Sequence, residues 1–342
     1  MSEKTMQAIL MNGVGGSEQL TPGRVLRPVP ERPGDVLVRL MAAGVNPVDT
    51  KVRSGRPAVA QLPAILGCDG AGIVEEIGSG VKEIKPGDAV YFCYSGLGTS
   101  PGNYAQYIVV DQGSIARKPA SLDFLHAGAA PLVLLTAWES LHDRARIRSG
   151  QTVLIHAGAG GVGHVAIQLA KLAGARVLTT VGSREKADFV RTLGADAAIL
   201  YKETDFVEEV LALTDGQGVD IAMDNVGGAL FQDTFPAVRY YGDLVTILQP
   251  SPQVDWTIAR NRNLRISLEI MLTPFRFGLT DALLHQRHIL EECARLFDSA
   301  GLTIHLSEVL PLAEAARAHQ LLESGSTTGK IVLQIDHTDP PA

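Results

Sequence analysis

The chain is 342 residues long, enough for two domains of ordinary size. Apolar residues make up 46% and charged residues 20%, the balance of a soluble globular protein rather than a disordered or fibrous one. A net charge of -7 with no basic block makes nucleic acid a poor partner, since phosphate binding needs clustered Lys and Arg.

The opening stretch, "MSEKTMQAILMNGVGG", carries acids and polar residues where a secretory signal would need an apolar core. The longest apolar run, Ala127 to Trp138, contains a proline and falls short of a bilayer span. Cys68, Cys93 and Cys293 lie far apart, which argues against a disulfide framework or a structural zinc knot. A cytoplasmic protein with reduced thiols is expected.

Residues 5–115 hold short strand-like runs punctuated by Gly and Pro: "QAILMN", "DVLVRLMAAGV", "AGIVEEIG", "DAVYF" and "AQYIVV". From about residue 121 the texture changes. "LDFLHAGAAPLVLLTAWESLHDRA" has helical spacing, and strand–helix alternation then continues through "FPAVRYYGDLVTILQ". Repeated units of that length predict a parallel sheet covered by helices, an α/β doubly wound domain. Two amphipathic helical stretches, "LTDALLHQRHILEECARLFDSAG" and "LAEAARAHQLLESG", precede a last strand, "GKIVLQI".

The sharpest local signal is "VLIHAGAGGVGHVAIQLAKLAGARVLTTV". A buried strand, Val153 to His156, runs into Gly158-Ala159-Gly160-Gly161-Val162-Gly163 and then a helix, followed by a strand from Ala175 to Val181. Glycines there permit a tight turn and let the backbone approach a pyrophosphate, which the helix N-terminus attracts. In that context the run predicts dinucleotide binding. The second strand ends on "TTVGSREKADF", without the acid that would hold a free ribose 2′-hydroxyl. Ser183, Arg184 and Lys186 suit a 2′-phosphate instead, so NADPH is the expected cofactor.

"GQTVLIHAGAGGVGHVAIQLAK" is one of several stretches that resemble the medium-chain dehydrogenase/reductase superfamily, in its zinc-free quinone oxidoreductase branch. The others are "AAGVNPVDTKVRSG", "APLVLLTAWESL", "DNVGG" and "TGKIVL". The resemblance implies a GroES-like β-rich catalytic domain, residues 1–127 and 274–342, with a Rossmann NADPH-binding domain, residues 128–273, inserted in it. It also implies a homodimer formed by edge strands, for which "DLVTILQP" and "NLRISLEIML" are candidates.

Catalytic zinc in that superfamily needs an early cysteine, a His-Glu pair and a later ligand. Here Asn46 takes the first place, Cys68 and Asp69 the pair, and "PLVLLTAW" offers no ligand. One thiol and one carboxylate do not make the three protein ligands of a catalytic zinc, so no metal is expected. The resemblance makes Asn46 a candidate to orient the substrate oxygen or the nicotinamide ribose. Lys51 occupies a position where many relatives have tyrosine and is a candidate hydrogen-bond donor. Tyr94 and Leu97 would wall the substrate side. Thr136 would lie near the nicotinamide, with Gly160, Gly161, Val162 and Gly163 at the pyrophosphate. Tyr201 would join Ser183 and Lys186 at the 2′-phosphate, Asn225 would lie beside the ribose or adenine, and Gly329 and Lys330 would return to the cofactor.

Without a Lewis acid to hold an alkoxide, hydride delivery to an electron-poor quinone or α,β-unsaturated carbonyl is the easier reaction. An alcohol dehydrogenase with an atypical Cys-Asp metal site, and a weakly catalytic NADPH-binding sensor or structural protein, are the alternatives.

Overall fold

The computed structural model describes residues 4–56, 59 and 61–337. The strands in chain order are β1 (Thr5–Met11), β2 (Leu20–Leu26), β3 (Asp35–Val45), β4 (Asp69–Ile77), β5 (Ala89–Cys93), β6 (Tyr107–Asp111), β7 (Ala116–Arg117), β8 (Thr152–Ile155), β9 (Arg176–Val181), β10 (Ala197–Leu200), β11 (Val219–Asp224), β12 (Val238–Thr246), β13 (Arg265–Leu268), β14 (Leu306–Pro311) and β15 (Lys330–Gln334). They belong to two compact units, one of Met1–Leu132 with Leu272–Ala342 and one of Val133–Met271.

In the first unit β1 and β2 form an antiparallel ribbon, and seven strands form a sheet ordered β14-β15-β3-β4-β5-β7, with β6 also on β3. β3, "DVLVRLMAAGV", is almost continuously apolar because it is the hub: it pairs with β4, β6 and β15. β15 arrives from the far end of the chain, setting Ile331 opposite Val45 and Gln334 opposite Ala42. β2 carries Pro22 and Gly23, and its sequence shows no alternation of apolar and polar residues. A ribbon strand with one neighbour tolerates a residue that cannot donate to a ladder.

The second unit is a six-stranded sheet, parallel at every pairing, in the order β10-β9-β8-β11-β12-β13. Counted from β8 this is 3-2-1-4-5-6, the order of the dinucleotide-binding fold, and the strand order reverses between β8 and β11. Leu154, Leu178, Val219, Ala222 and Leu244 fill its core with Phe231 and Phe235, whose rings meet edge to face at 5.1 Å. β13 is the outer strand, and β12 lies inside the sheet.

The helical stretch after residue 121 is broken into Phe124–Ala129, Pro131–Trp138 and a π-helical turn, Glu139–Arg144. Pro131 has no N–H to continue the first helix and suits the first turn of the second. Among the described residues, no helix is long and apolar enough to cross a membrane.

Candidate active site

The glycine turn of the second unit is shaped by contacts that no side chain could share. A Cβ on Gly158 would lie 2.0 Å from Thr179 Oγ1 on β9, and one on Gly163 would lie 2.3 Å from the Ala157 carbonyl oxygen. Gly160 begins the helix Gly161–Leu172, and no side chain caps it. The first N–H groups of that helix therefore present a dipole end suited to a pyrophosphate. Gly161 and Val162 are half-buried beside it and Gly163 is buried.

His156 closes β8 and is fully buried between two threonines, Nδ1 3.1 Å from Thr180 Oγ1 and Nε2 3.0 Å from Thr234 Oγ1. Thr234 gives its own proton to the Leu230 carbonyl, so its oxygen accepts from Nε2–H of the His156 ring. Burial pushes its pKa down to about 4. Asn225, just past β11, donates from Nδ2 to the His156 carbonyl at 2.9 Å, while its Oδ1 is buried without a partner. That orphaned acceptor at the switch point suits a ribose hydroxyl.

At the end of β9, Ser183 caps the helix Arg184–Thr192 and its hydroxyl accepts from Lys186 N at 3.3 Å. Arg184 is exposed and faces Glu203 at 3.4 Å. A Cβ on Gly182 would meet Tyr201 OH at 3.1 Å and Lys202 Cε at 3.5 Å, so these two side chains border the same spot. Lys202 is an addition to the residues singled out from sequence, and its only signal was adjacency to Tyr201. Thr136, in the helix Pro131–Trp138, is buried in this unit. These residues fit a bound dinucleotide with a 2′-phosphate.

In the first unit the Asn46-Pro47 turn opens the helix Pro47–Arg53, with Asp49 at its third position returning to the Asn46 N–H at 2.8 Å. Asn46 is completely buried and its amide is engaged at both ends: Nδ2 donates to Asp69 Oδ2 at 2.8 Å, and Oδ1 accepts from Lys330 Nζ. Lys330, at the start of β15, also donates to the Val45 carbonyl at 3.1 Å and lies 3.6 Å from Asp69 Oδ2. Asp69 Oδ1 accepts the Leu132 N–H at 2.8 Å. Burial pushes the Asp69 carboxyl up and the Lys330 ammonium down, and each opposes the shift of the other. With two N–H donors and an ammonium around it, Asp69 is held as the carboxylate.

Lys51 is exposed on the helix that Asn46 caps but is not part of this cluster. Gly329 has φ 72° and its Cβ would lie 2.3 Å from the His305 carbonyl oxygen, so only glycine suits the step into Lys330. Tyr94 meets Phe275 edge to face at 5.3 Å, and Leu97 is buried. Cys68 is completely buried and its thiol is pushed well up by burial; Cys93 shifts the same way. Three residues that sequence reasoning passed over complete the cluster. Tyr104 donates to Asp49 Oδ2 at 2.9 Å, His319 Nε2 lies 3.2 Å from the Tyr104 oxygen, and Arg53 Nη1 lies 3.3 Å from His319 Nδ1.

Comparison with known proteins decides the family. Residues 32–120 match the alcohol dehydrogenase GroES-like domain, and residues 193–333 match the zinc-binding dehydrogenase family. A quinone oxidoreductase of Pseudomonas aeruginosa is 34% identical over 93% of this chain and 96% of its own length. The chain belongs to the quinone oxidoreductase branch of the medium-chain dehydrogenase/reductase superfamily. It is therefore an oxidoreductase with a GroES-like and a Rossmann-type unit. A 2-haloacrylate reductase of Burkholderia sp is likewise 34% identical, over 88% of this chain and 91% of that protein. The crystal structure of Escherichia coli quinone oxidoreductase complexed with NADPH superposes with a TM-score of 0.85 at 30% identity, covering 96% of this chain and 99% of that one.

A catalytic zinc of the wider family does not fit the residues present here. Both Asp69 oxygens already accept N–H groups, an ammonium faces the carboxylate, and the thiol beside it is protonated. Among the described residues no three His, Cys, Asp or Glu side chains are grouped to hold a metal ion.

Proposed function

We propose that the protein is an NADPH-dependent reductase that passes a hydride to quinones or α,β-unsaturated carbonyl compounds without a metal. The observation that carries this reading is the Asn46–Asp69–Lys330 cluster: the charge balance a metal would otherwise disturb is met by an ammonium and amide groups. NADPH, when bound, supplies the hydride from its nicotinamide. The glycine turn and helix Gly161–Leu172 would hold the pyrophosphate. Ser183, Arg184, Lys186, Tyr201 and Lys202 would take the 2′-phosphate, Asn225 Oδ1 a ribose hydroxyl, and Thr136 the nicotinamide side. An acceptor whose charge is already delocalised needs only positioning and hydrogen bonding, which Asn46 and Lys51 are candidates to provide.

The edge strand β13 leaves Leu268 64% exposed and Ile270 beyond it 55% exposed, which supports a homodimer paired along that edge. Light scattering on purified protein checks it.

The reductase reading is tested by following NADPH and NADH absorbance against quinones, enals and enones, with and without EDTA. NADPH consumption with one acceptor class, indifferent to EDTA, is expected. Tight NADPH binding without turnover would favour a sensor, and EDTA-sensitive oxidation of alcohols would favour a metal site.

A further inference from the structure

Five buried side-chain atoms lack a hydrogen-bond partner among the described residues, and one of them belongs to an ionisable group: Asp49 Oδ1. Its other oxygen is crowded. Oδ2 accepts the Asn46 N–H at 2.8 Å and the Tyr104 hydroxyl at 2.9 Å. The direction of each bond behind Tyr104 follows from chemistry. Arg53 can only donate, so His319 Nδ1 accepts and the ring proton sits on Nε2, donated to the Tyr104 oxygen. Tyr104 must then give its own proton to Asp49. The chain Arg53, His319, Tyr104, Asp49 thus delivers hydrogens in one sense, ending at Oδ2 and leaving Oδ1 unmet.

The charges around Asp49 come from every side. Asp69 on β4 repels it, Lys330 on β15 attracts it, and the thiols of buried Cys68 and half-buried Cys93 stay neutral. Arg53 on its own helix is engaged by His319 and by Glu323 at 2.5 Å. His319, on the helix Ala315–Glu323, is kept uncharged by burial and by Arg53. Two buried carboxyl groups therefore share one ammonium, and with Oδ2 already accepting two hydrogens, Oδ1 is the oxygen left to carry a proton.

We propose that Asp49 is a positioning residue that carries its proton on Oδ1, and that this proton leaves Lys330 and Asp69 a balanced pair which holds the Asn46 turn in register for the reaction. Loss of the proton sets a second carboxylate in competition for Lys330 and slackens its hold on Asn46 Oδ1. The link to turnover rests on the reductase reading above. Proton uptake itself is measured on the protein without substrate.

Burial pushes the Asp49 carboxyl up to about 7, against the pull of the Asn46 N–H and the Tyr104 hydroxyl. The unfolded chain releases this proton near pH 4, so the stabilisation is complete below that value and is lost as pH rises toward about 7. The test is thermal melting of the full chain and of Asp49→Asn from about pH 5 to about pH 8. Wild type should lose about 3 °C or more relative to the variant across that range. Where an acceptor turns over, the wild-type kcat/KM profile should bend near the same pH and that of the Asp49→Asn variant should not. Parallel melting profiles, or the same bend in both proteins, would overturn the proposal. If Asp49→Asn fails to fold, Tyr104→Phe decides: removing a donor to the ionised carboxylate should move the melting transition to higher pH, and an unmoved transition overturns it. A wild type that reduces no acceptor would sink the reductase reading, while the melting profiles would still decide on Asp49.

Discussion

In the Val133–Met271 unit, two sets of the groups expected to meet the cofactor are unbroken runs of sequence. The turn from His156 to Gly163 is one uninterrupted stretch, and Ser183 to Lys186 is another. In the other unit the cluster around Asn46 draws on Asp49, Asp69, Tyr104, His319 and Lys330, from β4, β15, two helices and a loop. The first arrangement works through backbone geometry and tolerates little bulk. The second works through charge balance, and each member depends on the rest being present.

Three substitutions sharpen or break that contrast. Lys330→Met removes the ammonium from between two buried carboxyl groups and should cost about 3–5 kcal/mol in denaturant unfolding; a loss below about 1 kcal/mol would mean Asp69 is not held as a carboxylate. Gly158→Ala drives a methyl group to 2.0 Å from Thr179 Oγ1, which is itself fixed by donation to the Ile155 carbonyl at 2.6 Å. It should cost about 1–3 kcal/mol and abolish NADPH binding by fluorescence titration. Unchanged binding would show that the turn does not carry the pyrophosphate. Ser183→Asp should weaken NADPH about tenfold and leave NADH little changed, because it adds a charge beside the 2′-phosphate position. Equal effects on both nucleotides would break the cofactor assignment.

The same contrast explains what could be read from sequence. The α/β class and the parallel sheet were legible because strand–helix alternation and the glycine run are local patterns. β2 was not, because Pro22 and Gly23 hide a strand whose place is fixed by its partner alone. Asp49, Arg53, Tyr104 and His319 passed unnoticed because little in the local sequence marks them. The one trace was an acid three places after Asn46, the spacing of a capping box. Lys330 was picked out by resemblance as a residue that returns to the cofactor. In the structure its Nζ is bonded to Val45 O and Asn46 Oδ1, partners that only strand pairing between β15 and β3 could reveal.

Because Lys330 reaches Val45 across 285 residues of chain, the order of assembly is constrained. During synthesis β3 and β4 leave the ribosome long before β15 exists, so Asp69 waits without its ammonium while the whole nucleotide unit is made. The inserted unit can form on its own contacts in the meantime. The sheet of the first unit has to be closed by a late-arriving strand, and that step carries the high contact order that slows folding.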